Sequence, residues 1–207
     1  MNVISNFAAR YERTREEEIS LEDYLEICKN DKSAYATAAE RMLDAIGEPQ
    51  MVDTRNDPRL SRIFANKVIK IYPAFEEFYG MEEAIEQVVS YFRHAAQGLE
   101  EKKQILYLLG PVGGGKSSIA ERLKQLAEKV PFYAIKGSPV NESPLGLFDP
   151  AEDGPILEKE YGIPRRYLQR ILSPWAVKRL DEFGGDIRQF KVIKRYPSIL
   201  KHIGLAK

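Results

Sequence analysis

One run in the chain combines residue types and spacing that specify a chemistry: Gly110, Pro111, Val112, Gly113, Gly114, Gly115, Lys116, Ser117 and Ser118. It fits the pattern G-x-x-x-x-G-K-[ST]. Each residue type has a physical reason. Phosphate oxygens must approach several backbone N–H groups at once, and glycines let the backbone curl that tightly without side-chain obstruction. A helix starting near Lys116 would aim its unpaired N–H groups and positive dipole end at the anion. Lys116 adds a mobile charge for the β and γ phosphates, and Ser118 a further contact. Ser117 offers a hydroxyl to Mg²⁺, a hard ion that prefers oxygen. The expected ligand is a nucleotide, ATP with Mg²⁺. The competing reading is a glycine-rich turn that matches by chance. The context argues against it: an apolar run, Ile105–Leu109, precedes the loop, and Ile119, Leu123 and Leu126 follow at helical spacing.

An enzyme that turns over ATP on such a loop also needs an acid ending a second strand, to order Mg²⁺ and water. After Lys116 the Asp-Glu pair is Asp181–Glu182, in AVKRLDEF. Lys178 and Arg179 stand where a buried strand needs apolar residues. Ser173–Pro174 reads as a helix start and Gly184–Gly185 as its stop. The pair is therefore read as helix surface, and no catalytic residue is assigned.

Other candidates carry less. Cys28 lies on an apolar helix face and reads as a structural thiol. His94 and His202 lack partners at metal spacing. Lys191, Lys194, Arg195 and Lys201 read as a solvated face, with a phosphate or partner contact as the alternative. Arg165–Arg166 has the same two readings, the functional one being an arginine acting in trans. Among Tyr72, Phe75, Phe78 and Tyr79, most read as core and one as a wall of an adenine pocket.

The elements that must position this loop follow from periodicity and caps. Ser20 with Asp23 predicts a capping box, followed by Leu21, Tyr24, Leu25 and Cys28 on one face. Asp31 is read as the N-cap of a second helix carrying Tyr35, Ala38, Ala39, Met42, Leu43 and Ile46, stopped by Gly47 and Pro49. Val52–Arg59 reads as a polar loop, and Val68–Tyr72 as a short strand or a linker. A long helix begins with Glu82 and Glu83, buries Ala84, Ile85, Val88, Val89, Phe92 and Ala96, and ends at Gly98. Ile105–Leu109 is expected to be a buried parallel strand, Lys116–Lys129 a helix and Val130–Ile135 the next strand. That order is a βαβ unit. Lys136–Pro144 reads as a loop. Helices are expected over Ala151–Tyr161, from Pro164 and from Pro174, and a strand over Phe190–Tyr196. The fold class is α/β, a P-loop parallel sheet with flanking helices. A helical segment at 1–72 precedes the module at 73–207.

Composition bounds the setting. Of 207 residues, 43% are hydrophobic, enough for a core. Lys plus Arg is 31 and Asp plus Glu is 31, so net charge gives no pull toward nucleic acid or an anionic membrane. A single cysteine, no long apolar run and no signal-like N-terminus imply a soluble cytoplasmic protein.

The stretch FYGMEEAIEQVVSYFRHAAQGLEEKKQILYLLGPVGGGKSSIAERLK resembles the AAA+ module of the PrkA family of bacterial serine protein kinases. SAYATAAERMLDAIGEP, PRLSRIFANKVIKIYPAFEEFYG, LEKEYGIPRRYL and SPWAVKRLDEFGGD are similar to it too, so the likeness runs from about Tyr11 onward. The resemblance implies an AAA+ ATPase fold and, in the parent, a kinase-like region acting on a protein substrate. It implies that this chain is an N-terminal piece, with the second-strand acid, sensor and arginine-finger residues beyond Lys207. A homo-oligomer is also expected. Carry-over by position reaches Gly110–Ser118. The sequence has no protein-kinase catalytic loop or D-F-G. Related modules also serve as switches, remodellers and protease partners, which is the alternative function.

Overall fold

The computed structural model describes residues 17–197. Helices α1 (Leu21–Asn30), α2 (Ala38–Ile46), α3 (Pro58–Phe64), α4 (Glu82–Ala96), α5 (Lys116–Ala127), α6 (Gly154–Tyr161) and α7 (Pro174–Glu182) and strands β1 (Glu18–Ser20), β2 (Gln50–Asp53), β3 (Val68–Ile71), β4 (Phe132–Ile135) and β5 (Lys191–Arg195) follow in the order β1-α1-α2-β2-α3-β3-α4-α5-β4-α6-α7-β5. The chain divides into two compact units. Among the described residues one comprises 17–35 and 131–195, the other 36–130 with 196 and 197. Residue 72, the expected boundary, falls inside the second.

In the first unit β5 lies between β1 and β4, antiparallel to both. Ile19 faces Val192, and Ala134 faces Ile193. Helix α1 starts where the sequence predicts. Ser20 Oγ accepts the Asp23 N–H at 3.0 Å and Asp23 Oδ2 accepts from Ser20, a reciprocal cap. Leu21, Tyr24, Leu25 and Cys28 then pack with Leu145, Leu157, Ile163 and Val192. Burial pushes the Cys28 thiol up to about 11, against the opposing pull of its hydrogen bond with Tyr24. The reading of Cys28 as structural holds.

The second unit carries the glycine loop. Its core joins Ile46 of α2, Tyr72 and Phe75, Ile85 and Val89 of α4, and Ile119 and Leu126 of α5. The long helix α4 closes as expected, with Gly98 at φ +82°. Two expectations change here. Helix α2 is capped by Thr37, not Asp31: Thr37 Oγ1 accepts from Glu40 N at 3.3 Å and Glu40 Oε2 from Thr37 N at 2.7 Å. Asp31 instead closes α1, its carboxylate accepting the Ser33 N–H at 2.9 Å, and Tyr35 lies in the following 3₁₀ turn. The expected loop Val52–Arg59 is ordered. Its first residues pair in β2 with β3, and Asp57 caps α3 ahead of Pro58.

The largest correction concerns the sheet. Among the described residues every strand pairing is antiparallel, and Ile105–Leu109 pairs with none. Leu106 and Leu108 are half-buried, and Leu108 packs on the core of the unit. The alternate residues Ile105, Tyr107 and Leu109 are 91%, 79% and 84% exposed. The period of two is that of a strand, but a ladder needs a neighbour to take its N–H and C=O groups. Likewise β4 pairs with β5 rather than continuing a βαβ unit, and the helix expected from Pro164 is a 3₁₀ turn over Arg165–Tyr167.

Candidate functional site

The glycine loop leads straight into α5. Gly113 and Gly115 sit at φ +79° and +72°, conformations that an L side chain adopts only with strain. A Cβ on Gly114 would stand 3.1 Å from the Pro111 carbonyl oxygen, and one on Gly115 2.7 Å from Met81 Sδ. A side chain at Gly115 would therefore have to displace the end of Met81 as well as adopt a strained φ. Gly114 N–H donates to Pro111 O at 3.2 Å, tightening the turn. Val112 projects into solvent at the tip.

Gly115 is the N-cap of α5, and no side chain caps this end or places an acid in the first turn. Four other helix starts use Ser20, Thr37, Asp57 and Ser173 for that purpose, while α4 and α6 also begin without a side-chain cap. The first Ile119 N–H bond returns to Gly115 O at 2.9 Å. The N–H groups before it belong to the first turn, where a helix leaves its donors without intrahelical partners, and such an end takes an anion. The Lys116 ammonium folds over the loop and donates to Gly110 O at 2.8 Å and Pro111 O at 2.5 Å. Cation, N–H groups and glycine turn thus converge, so the residues present fit a phosphate chain.

Ser117 and Ser118 are exposed and open onto a cavity of about 760 Å³. It runs along α5 past Glu121, Arg122 and Gln125, and its far wall is Glu77, Phe78, Tyr79 and Met81. Of the four aromatics read from sequence, Tyr72 and Phe75 are core, whereas Phe78 and Tyr79 line this cavity. Arg122 braces the wall: its Nε donates to Ala74 O at 2.6 Å and lies 3.7 Å from Glu77. Glu121 pairs with Lys124 at 2.6 Å. Met81 and Arg122 had no signal in the sequence, because each acts through a contact distant along the chain. Among the described residues no group of three His, Cys, Asp or Glu side chains gathers to hold a metal. Mg²⁺ here would have to take Ser117 Oγ together with phosphate and water oxygens.

The remaining candidates lie outside this site. Asp181 and Glu182 are exposed in the last turn of α7, whose start is capped by Ser173 Oγ accepting Ala176 N–H at 3.3 Å. Glu182 pairs with Arg179 at 2.6 Å. The helix-surface reading is therefore correct. Asp181→Asn and Glu182→Gln should leave ATP affinity unchanged within about twofold, and likewise any hydrolysis in a full-length chain; surface changes of this kind act on the order of 0.5 kcal/mol or less. A large loss in calorimetry or phosphate release would contradict that placement. His94 pairs with Glu101 at 3.1 Å. Arg165 lies 3.5 Å from Glu158, and Arg166 stacks over Tyr167 at 4.8 Å. On β5, Lys191 and Lys194 are exposed and Arg195 donates to Asn141 at 2.6 Å. His202 and Lys201 lie outside the described residues.

Comparison with known proteins adds an independent line. Residues 19–207 match the family model described as the PrkA AAA domain. The chain is 65% identical over 211 residues to "Serine/threonine kinase YeaG" of Escherichia coli K12, covering all of this chain and 33% of that protein. It is 35% identical over 210 residues to "ATP-dependent protease PrkA" of Bacillus subtilis, covering 95% of this chain and 31% of that protein. The chain thus spans about a third of the length of the curated relatives it matches. No solved structure matches it.

Proposed function

This chain belongs to the PrkA AAA domain family, and on that premise we propose that it is a nucleotide-gripping module that holds Mg-ATP by its phosphates at Gly110–Ser118. The observation that carries the reading is the uncapped start of α5 beneath a glycine turn, with the Lys116 ammonium folded across it. Backbone N–H groups and the helix dipole take the phosphate oxygens. Lys116 exchanges its two carbonyl partners for β and γ oxygens, and Ser117 places its hydroxyl toward Mg²⁺. Phe78 and Tyr79 supply the apolar wall against which adenine would stack.

The parallel sheet of a P-loop fold would form on the bare face of Ile105–Leu109. Three exposed apolar side chains in strand register support this. So does the length of the relatives, which have about three times this chain's residues from which to supply the neighbouring strand. Assembled in that way, the module would serve an ATP-dependent serine/threonine kinase acting on a protein substrate, as the name of the E. coli relative suggests. The name of the B. subtilis relative favours a second reading, an ATP-driven module that serves proteolysis without phosphoryl transfer. A cytoplasmic location accords with either; no helix among the described residues is long and apolar enough to cross a membrane. Assembly into a homo-oligomer is part of the same proposal. Titration calorimetry with Mg-ATP tests the binding reading: saturable heat at one site is expected, and no heat at millimolar ATP would contradict it.

A further inference from the structure

The chain has four methionines, at positions 1, 42, 51 and 81, and Met81 stands against the glycine turn. A Cβ built on Gly115 would lie 2.7 Å from Met81 Sδ and 3.1 Å from its Cε. The thioether is therefore in van der Waals contact with the backbone that opens α5, with no room for another atom between them. Met81 also packs on the core of its unit, on the cluster that includes Phe75, Ile85 and Ile119. It is nonetheless only half-buried, and it lines the 760 Å³ cavity together with Gly115, Ser117 and Ser118. A small solute that enters the cavity can reach it. Methionine at a core margin is ordinarily a gap-filler, since its flexible chain suits irregular space. Leucine would fill that space as well. Sulfur adds something leucine lacks, a site where peroxides act. Met51 on β2 is 62% exposed and Met42 lies on α2, and neither lines the cavity. Met1 lies outside the described residues.

We propose that Met81 is a reversible oxidation site, at which hydrogen peroxide converts the thioether to the sulfoxide and so weakens the grip of the turn on nucleotide. The inference rests on the phosphate-binding reading above and adds to it a modification of the same turn. In the reaction a sulfur lone pair attacks one peroxide oxygen. The S–O bond forms and the O–O bond breaks. The proton on the transferred oxygen passes to the departing hydroxide, which leaves as water. Sulfur is oxidised by two electrons and peroxide is reduced. The product carries a polar hydrogen-bond acceptor where the side chain was apolar. Because Sδ already touches Gly115, the new oxygen has two directions open to it. Turned onto α5, it meets N–H groups at a helix start that no side chain caps, and occupies donors that a phosphate needs. Turned into the cavity, it sets the negative end of the S–O dipole toward anionic phosphates beside Ser117 and Ser118. Either direction lowers affinity. The converse follows from linkage: a bound triphosphate disfavours the sulfoxide and screens the sulfur from peroxide.

The test treats the chain with hydrogen peroxide, follows each methionine by peptide mass mapping, and measures Mg-ATP affinity before and after. As Met81 gains one oxygen, the wild type should lose affinity about fivefold or more, the scale of one hydrogen bond. Methionine sulfoxide reductases of both stereospecificities should restore it. That repair separates the effect from oxidation of the buried Cys28 thiol, which these enzymes do not reverse. Met81→Leu, which keeps the bulk and removes the sulfur, should hold its own starting affinity through the same treatment, whereas Met51→Leu should lose affinity as the wild type does. Met81→Gln, a permanent polar side chain, should bind Mg-ATP several-fold more weakly than Met81→Leu with no oxidant present. Saturating Mg-ATP should slow the oxidation of Met81 and leave that of Met51 unchanged. Unchanged affinity with Met81 fully oxidised, a loss that Met81→Leu shares, or a Met81 that peroxide leaves reduced in the folded chain would each overturn the oxidation site alone. Failure of the untreated wild type to bind Mg-ATP would overturn the phosphate reading and this inference together.

Discussion

Replacing Lys116 with alanine lowers the affinity of the chain for Mg-ATP at least about tenfold. The expectation comes from the difference between two sets of partners. In the structure the ammonium donates to the carbonyls of Gly110 and Pro111. These are neutral acceptors at the surface. Phosphate oxygens are anionic, and hydrogen bonds between charged groups contribute about 1.5–3 kcal/mol. Losing that contact corresponds to roughly one to two powers of ten in dissociation constant. The substitution also frees two carbonyls that Lys116 tethers, so the loop loses part of its shape as well as its charge. Calorimetry on the wild type and the variant, with matched circular dichroism, gives the answer. Equal affinities would show that Lys116 never leaves its carbonyl partners.

Steady ATP turnover and protein phosphorylation should be absent from this chain and present in one extended to the length of its relatives. Catalysis of phosphoryl transfer is mostly positioning and charge stabilisation of metal and nucleophile. The loop supplies a grip on the phosphates, but among the described residues no carboxylate ends a strand beside it. The two acids on the phosphate-side cavity are engaged: Glu77 faces Arg122 and Glu121 faces Lys124. The bare face of Ile105–Leu109 is where an added strand could bring such an acid into range. Phosphate release and radiolabel transfer to casein, compared between the short and extended chains, measure the effect. A difference of several powers of ten is expected, the scale on which positioning acts. Turnover by the short chain that Lys116→Ala abolishes would mean its catalytic groups lie within these residues.

Local signals explain what the sequence revealed. The Ser20–Asp23 and Ser173 caps, the acidic start of the helix at Glu82 and the stop at Gly98 act within one turn of the chain, and each forms where the sequence places it. The same signals placed Asp181 and Glu182 on a helix. The glycine loop is legible for a related reason, since its strain at Gly113 and Gly115 is a property of residue type. Pairings between distant segments carry no such mark. Nothing near Ala134 announces Ile193 as its partner, and nothing in Val52–Arg59 announces the ladder with β3. Asp31 reads as a cap because its residue type caps well, but Thr37 is of such a type too, and its reciprocal contact with Glu40 decides. Ile105–Leu109 was read from its apolar run, which reports the need for burial but not which neighbour meets it. That the Tyr72 hydroxyl and Glu82 Oε2 lack partners among the described residues has no mark in the sequence, because an unpartnered atom is visible only in three dimensions.

The central claim, that the turn at Gly110–Ser118 binds phosphates, is tested most directly by titrating the wild-type chain with ATP, ADP, AMP and adenosine under one set of conditions with Mg²⁺. If N–H groups, helix dipole and Lys116 supply the affinity, it should fall stepwise as phosphates are removed, with the largest drop from ADP to AMP, where the β oxygens cradled by the loop are lost. Adenosine should bind weakly, through the base alone. Equal affinity for all four ligands would place binding elsewhere and contradict the account.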